Sequence, residues 1–254
     1  MKTARIGRCV RLATVAAGVG TTLVAAVFPA AAQDINISLG QGSGLTERVI
    51  QLIAFITVLS LAPSILIMMT AFTRIVIVLS FLRQALGIQQ VPPNTVLVSL
   101  AMFLTFFIMA PVLERSYNQG IQPLIAEEIN EAEALTRTRL PFREFMLRHT
   151  SEKDLKLFVD MARIDKIEEP IATPMQVLVP AFMISEIKRA FEIGFLLFLP
   201  FLIIDMVVSS ILMSMGMMML PPTMVAIPFK IIFFVLVDGW YLIAGSLARS
   251  FGTL

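Results

Sequence analysis

Four apolar runs set the pattern of this chain, and a long charged stretch separates the second from the third. Val49–Thr73 carries no charge and is long enough to cross a bilayer, which takes about 20 apolar residues. Pro63 in its middle predicts a kink. Gly87-Ile-Gln-Gln-Val-Pro-Pro-Asn94 reads as a turn, and Val96–Leu113 is the second apolar run. Gln176–Met219 predicts one long helix bent at Pro180 and Pro200, and Met224–Ala248 returns. No period-two alternation of any length appears, so the expected fold is all-α.

Between the hairpins the chain becomes water-compatible. Ile121, Leu124, Ile125, Ile129 and Ala132 fall at helical spacing on one face, as do Leu155, Phe158, Val159 and Ala162. Pro141 suits a helix start, and Ser151-Glu-Lys-Asp154 resembles a capping signal. The expected organisation is residues 1–32 as a cleaved signal peptide, 33–44 as a mobile tail and 45–113 as a first hydrophobic hairpin. Residues 114–174 form a polar helical region, and 175–254 a second hairpin closed by a methionine-dense turn.

The signal reading rests on a basic start, an apolar stretch from Leu12 to Phe28 and Ala30-Ala31-Ala32 before Gln33. It puts the mature N-terminus in the periplasm. Arg74 and Arg83, with no acid between Arg48 and Glu114, then mark a cytoplasmic-side loop.

Composition agrees with a membrane class: 57% of the 254 residues are hydrophobic. The formal charge of +2 includes Lys2, Arg5, Arg8 and Arg11 of the expected signal. Without them 16 basic residues face 18 acidic ones, and no basic stripe remains to hold nucleic acid. The single cysteine, Cys9, lies in the same segment, so a mature chain has no thiol chemistry. His149 stands alone in a charged region and reads as solvated. No metal spacing, phosphate loop or nucleophile set occurs, which argues against an enzyme and against a cofactor.

Charges inside the apolar runs are the first unusual feature. A charge at membrane depth costs at least about 2.5–3.5 kcal/mol on insertion scales, so it should face protein or water. Lys230 and Asp238 are eight residues apart, about 12 Å along a helix, too far to pair. Asp205 is a candidate partner for Lys230, in the same chain or a neighbour; separate charges facing a watery lumen are equally consistent. Glu186, Lys188, Arg189 and Glu192 sit at one-turn spacings. They can satisfy one another on one helix or bridge subunits. The second feature is methionine: Met213, Met215, Met217, Met218 and Met219 fall within seven residues around Gly216 and before Pro221-Pro222. Thioether side chains pack adaptably, and several copies of such a tip around an axis would make a compliant constriction.

Long stretches of the chain resemble a known family. They are Leu61-Ala-Pro-Ser-Ile-Leu-Ile-Met-Met-Thr-Ala-Phe-Thr-Arg74, Phe81-Leu-Arg-Gln-Ala-Leu-Gly87, Gln90-Val-Pro-Pro-Asn94 and Pro141-Phe142. Val179 to Phe191, Gly216 to Pro222, Pro228-Phe-Lys230 and Val237-Asp-Gly-Trp240 continue the match. The resemblance is to the FliP family of flagellar biosynthetic proteins, with its counterparts in injectisomes. The methionine turn and the signal favour the flagellar branch. The resemblance implies a pentameric ring with FliQ-like and FliR-like subunits, forming a conical pore for unfolded flagellar substrates at the inner membrane. It implies that the hydrophobic hairpins coil into a cone held largely above the membrane plane. It assigns the five methionines a gasket role in the lumen, with energy supplied by partners and the proton motive force. The rival from another class is a small-solute or ion transporter using Asp205 and Lys230. The absence of an evident internal repeat disfavours it.

Overall fold

The structure, a computed structural model, describes residues 45–88, 91–164, 169–217 and 219–252. The expected signal peptide and tail lie outside the described residues. The chain divides into two compact units, Met1–Ala54 and Phe55–Leu254. Of the first, only the start of helix α1 (Leu45–Met68) is described.

The second unit is helical, and no strand occurs among the described residues. After α1, residues 69–71 break the chain before α2 (Phe72–Ala85) begins. The first apolar run is therefore not one helix through Thr73. The segment expected as a charged loop is instead a helix with a buried face. Ile75, Val78, Leu79, Leu82 and Ala85 recur at three- and four-residue spacing and are fully enclosed. They pack on α7 (Met175–Ser214) and α3 (Asn94–Ser116). Leu97, Ala101, Ile108, Met109 and Val112 of α3 continue the same core.

The polar region holds α4 (Gln122–Ile125), α5 (Glu131–His149) and α6 (Glu152–Met161). A π turn at Tyr117–Ile121 joins α3 to α4, and the non-helical residues 126–130 interrupt the face expected from Ile121 to Ala132. Asn130 caps α5 by accepting from the Glu133 N–H at 2.9 Å. Pro141, expected to start a helix, lies buried inside α5. Ser151 precedes α6, yet its side chain makes no cap. Its N–H donates instead to Ser185 Oγ at 2.9 Å, and that hydroxyl donates to Asp154 at 2.7 Å.

Helix α7 runs unbroken through Pro180 and Pro200, and its two halves differ. Its first half buries Leu178, Ala181, Phe182, Ser185, Glu186 and Ala190, whereas its second exposes Phe195, Leu196, Ile203, Met206 and Val207. Gly194 lies between the halves because the Phe81 ring occupies its side-chain space. A Cβ there would stand 2.4 Å from the ring. The return run is two helices, α8 (Pro222–Leu236) and α9 (Gly239–Arg249), bent by 63°. The break is at Asp238, whose φ of 51° lies in the left-handed region. Residues 94–125 and α7 are long and apolar enough to cross a membrane, and α8 with α9 is a third candidate if the bent pair is one span.

Candidate functional site: two interior ion pairs and a methionine turn

Arg74 is 1% exposed, at the start of α2, and is not a loop charge. Its Nε donates to Glu186 Oε2 at 2.8 Å and its Nη2 donates to Glu186 Oε1. Its Nη1 donates to the Ser250 carbonyl at 3.2 Å and the Ser250 hydroxyl at 2.9 Å. The guanidinium also lies 3.8 Å over the Phe251 ring. This corrects two expectations. The positive-inside argument loses Arg74, and Glu186 is satisfied by α2 rather than by its own helix. Lys188, Arg189 and Glu192 are exposed and form no ion pair among the described residues. Arg83, in the last turn of α2, donates to Asn94 Oδ1 at 2.5 Å and so ties α2 to the start of α3.

The second pair joins α7 to α8. Lys230, 5% exposed, donates to Asp205 Oδ2 at 2.7 Å and to the Ala85 carbonyl at 3.1 Å. The second contact caps the carbonyl end of α2, where a cation also suits the helix dipole. Lys230 thus holds three helices together. Asp205 Oδ1 is buried with no partner among the described residues. An open cleft of about 550 Å³ lies beside the pair, lined in part by Arg83, Thr223 and Met224. Asp238, expected within an apolar helix, is exposed at the α8–α9 break.

The methionine turn is geometrically defined. Met215 ends α7, and Gly216 follows with φ 74°. Gly216 N–H donates to the Met213 carbonyl at 3.1 Å and Met217 N–H to the Leu212 carbonyl at 3.0 Å. This pair of bonds is the Schellman stop, which needs a left-handed residue after the helix and so favours glycine. Pro221 and Pro222 then start α8 with φ already suited to a helix. The helix stop at Gly216 and the restart at Pro222 are held by backbone geometry. Met213, Met215 and Met217 are exposed, and Met219 is 99% exposed. Met218 lies outside the described residues. Met213 at the end of α7 and Met215, Met217 and Met219 beyond it thus leave a group of apolar side chains exposed.

The FliP family model matches residues 55–247, which contain both ion pairs and the turn. The chain belongs to the FliP family. It is 58% identical to the flagellar biosynthetic protein FliP of Caulobacter vibrioides over 232 residues, covering 90% of this chain and 87% of that one. It is 55% identical to the FliP of Bacillus subtilis over 217 residues, covering 85% and 98%. The FliP of Aquifex aeolicus is 51% identical over 219 residues, with 85% and 91% covered. FliP membership and the long apolar helices place the chain at a membrane.

Several organising residues escaped the sequence reading. Ser250 and Phe251, beyond the FliP-matched stretch, contact Arg74. Ser185 and Asp154 join α7 to α6. His149, expected to be solvated, is packed between Phe145 and Phe251, with ring centroids at 4.6 and 5.2 Å. Burial lowers its pKa from the ordinary value, with Arg74 and Arg148 adding repulsion against the hydrogen bonds to the Phe145 and Phe251 backbone. A signal for Arg74 was present, since it shares a helical face with Val78 and Leu82. Nothing comparable pointed to Ser250. No group of three or more His, Cys, Asp or Glu able to hold a metal occurs among the described residues.

Proposed function

We propose that this chain is a core subunit of the flagellar type III protein export gate. Copies of it surround the path taken by unfolded flagellar components, and the methionine turn closes around that path. The observation that carries the reading is the turn itself: a Schellman stop at Gly216 and a proline restart at Pro222, beside exposed Met213, Met215, Met217 and Met219. Thioethers conform to varied surfaces, so such a corner can seal against any unfolded sequence. A structural role fits better than an enzymatic one. The two interior ion pairs stiffen the scaffold that positions the corner.

In this reading five copies assemble with FliQ-like and FliR-like subunits. The second half of α7 and its exposed apolar side chains supply contact area. Lys188, Arg189 and Glu192 are free to meet neighbouring subunits, as is Asp238, exposed at the bend between α8 and α9. Residues 1–32 are removed as a signal, and the N-terminus and polar region face the periplasm.

Cysteines placed at Met215 and Met219 test the lining role. With an export substrate stalled in transit, both positions form cross-links to the cargo. Absence of adducts in cells that still secrete contradicts the proposal.

A further inference from the structure

Two cavities beside α7 meet at Phe198, which lines both, and their chemistry differs. The first is the cleft of about 550 Å³ next to Lys230 and Asp205. Its lining carries two cations, Arg83 and Lys230, against the single carboxylate of Asp205. Lys230 uses two of its three N–H donors, on Asp205 and the Ala85 carbonyl. Arg83 uses Nη1, on Asn94, and its other donors have no partner among the described residues. The second cavity is a groove of about 280 Å³ lined only by phenylalanine, leucine and Gly194. Phe191, Phe195 and Leu202 are exposed along it.

Helical spacing joins the two into one trough. Gly194, Phe198, Leu202 and Asp205 follow at steps of four, four and three residues, so they share a face of α7. From Gly194 to Asp205 that face runs about 16 Å at about 1.5 Å per residue. The Phe81 ring, edge-on to Phe191 with centroids 5.0 Å apart, lines the apolar end. The cations stand at the other end. A length of about 16 Å is roughly half of the hydrocarbon core of about 30 Å, the depth that the acyl chains of one leaflet fill. A free anion suits only the cation end, and an uncharged helix suits only the groove. A lipid with an anionic headgroup suits both. Phosphate oxygens accept from a guanidinium fork, and basic pockets between membrane helices take such headgroups.

We propose that the trough holds an anionic phospholipid, with its phosphate at Arg83 and Lys230 and one acyl chain along Gly194, Phe198 and Leu202. The lipid covers apolar surface that α7 leaves exposed and neutralises the surplus positive charge of the cleft. The site does not depend on the methionine turn.

The test uses the assembly of full-length chains in vesicles of phosphatidylcholine and phosphatidylglycerol. One or the other lipid carries a photoactivatable diazirine in its acyl chain. The phosphatidylglycerol probe should label peptides containing Phe195 and Leu202 several-fold more than the phosphatidylcholine probe does. Arg83→Gln should bring the two yields together. Thr223→Glu should do the same, since it adds a carboxylate to the cleft and leaves the bond from Arg83 to Asn94 in place. Excess inorganic phosphate should leave the native difference unchanged. Equal labelling by the two probes in the native assembly overturns the proposal, as does a preference that both variants retain. Loss of the preference in inorganic phosphate assigns the cations to a free anion, and absence of label from the groove assigns it to a neighbouring subunit. Either result also overturns the proposal.

Discussion

Arg74 and Glu186 stand 112 residues apart in the chain and form a two-bond ion pair in its interior. Both side chains are essentially inaccessible to solvent. Removing one partner leaves the other charged and buried, which costs about 3–5 kcal/mol. Glu186→Ala should therefore lower the melting temperature of the purified protein steeply. Arg74→Lys should also destabilise, because an ammonium cannot reproduce the fork that also reaches Ser250. A melting temperature within experimental error of the native value for either variant would show the pair to be dispensable.

Asp205 and Lys230 offer a cleaner separation of terms. Single substitutions Asp205→Asn and Lys230→Met should each destabilise, and the double variant should recover part of the loss. Contacting charges in one network couple by about 0.5–3 kcal/mol in such cycles. Lys230 also holds the Ala85 carbonyl, so Lys230→Met should be the more damaging single change. Purely additive losses would indicate that the two groups act independently.

Gly194 tests the packing of α7 on α2. The missing Cβ is replaced by the Phe81 ring, so Gly194→Ala forces a clash worth about 1–3 kcal/mol. Combining it with Phe81→Leu should restore part of the stability. Unfolding midpoints of the two variants decide the point.

His149 predicts a pH dependence of stability. Its folded pKa lies below the ordinary value near 6.5, so the unfolded chain binds more protons as pH falls through that value. Stability is therefore full above about pH 6.5 and declines on acidification until the folded imidazole titrates as well. Melting temperatures measured from about pH 7.5 to about pH 5 should fall in the native chain, and His149→Phe should flatten that segment of the curve.

Those features that depend on local pattern were legible in the chain. The apolar runs, the all-helical character and the methionine corner each follow from a few consecutive residues. Gly216 and Pro221-Pro222 dictate the stop and the restart by backbone geometry alone. The features that depend on distant partners were not legible. Arg74 followed an uncharged run and read as a loop charge, because its counter-ion comes from another helix. Its place on the face of Val78 and Leu82 was the available warning. Pro141 carried a helix-start preference that tertiary packing overrode once α5 had begun at Asn130. Asp238-Gly239 is a turn dipeptide, but flanking apolar residues concealed the 63° break. Lone His149 gave no sequence sign of the ring that covers it, since Phe251 is contributed by the far end of the chain.

The most direct test of the export-gate reading is ion conductance across membranes holding the assembled complex. With Met213, Met215, Met217, Met218 and Met219 replaced by alanine, the complex should still assemble and should leak small ions at rest, while the native complex stays closed. An alanine complex that assembles and remains as tight to ions as the native one would contradict the account.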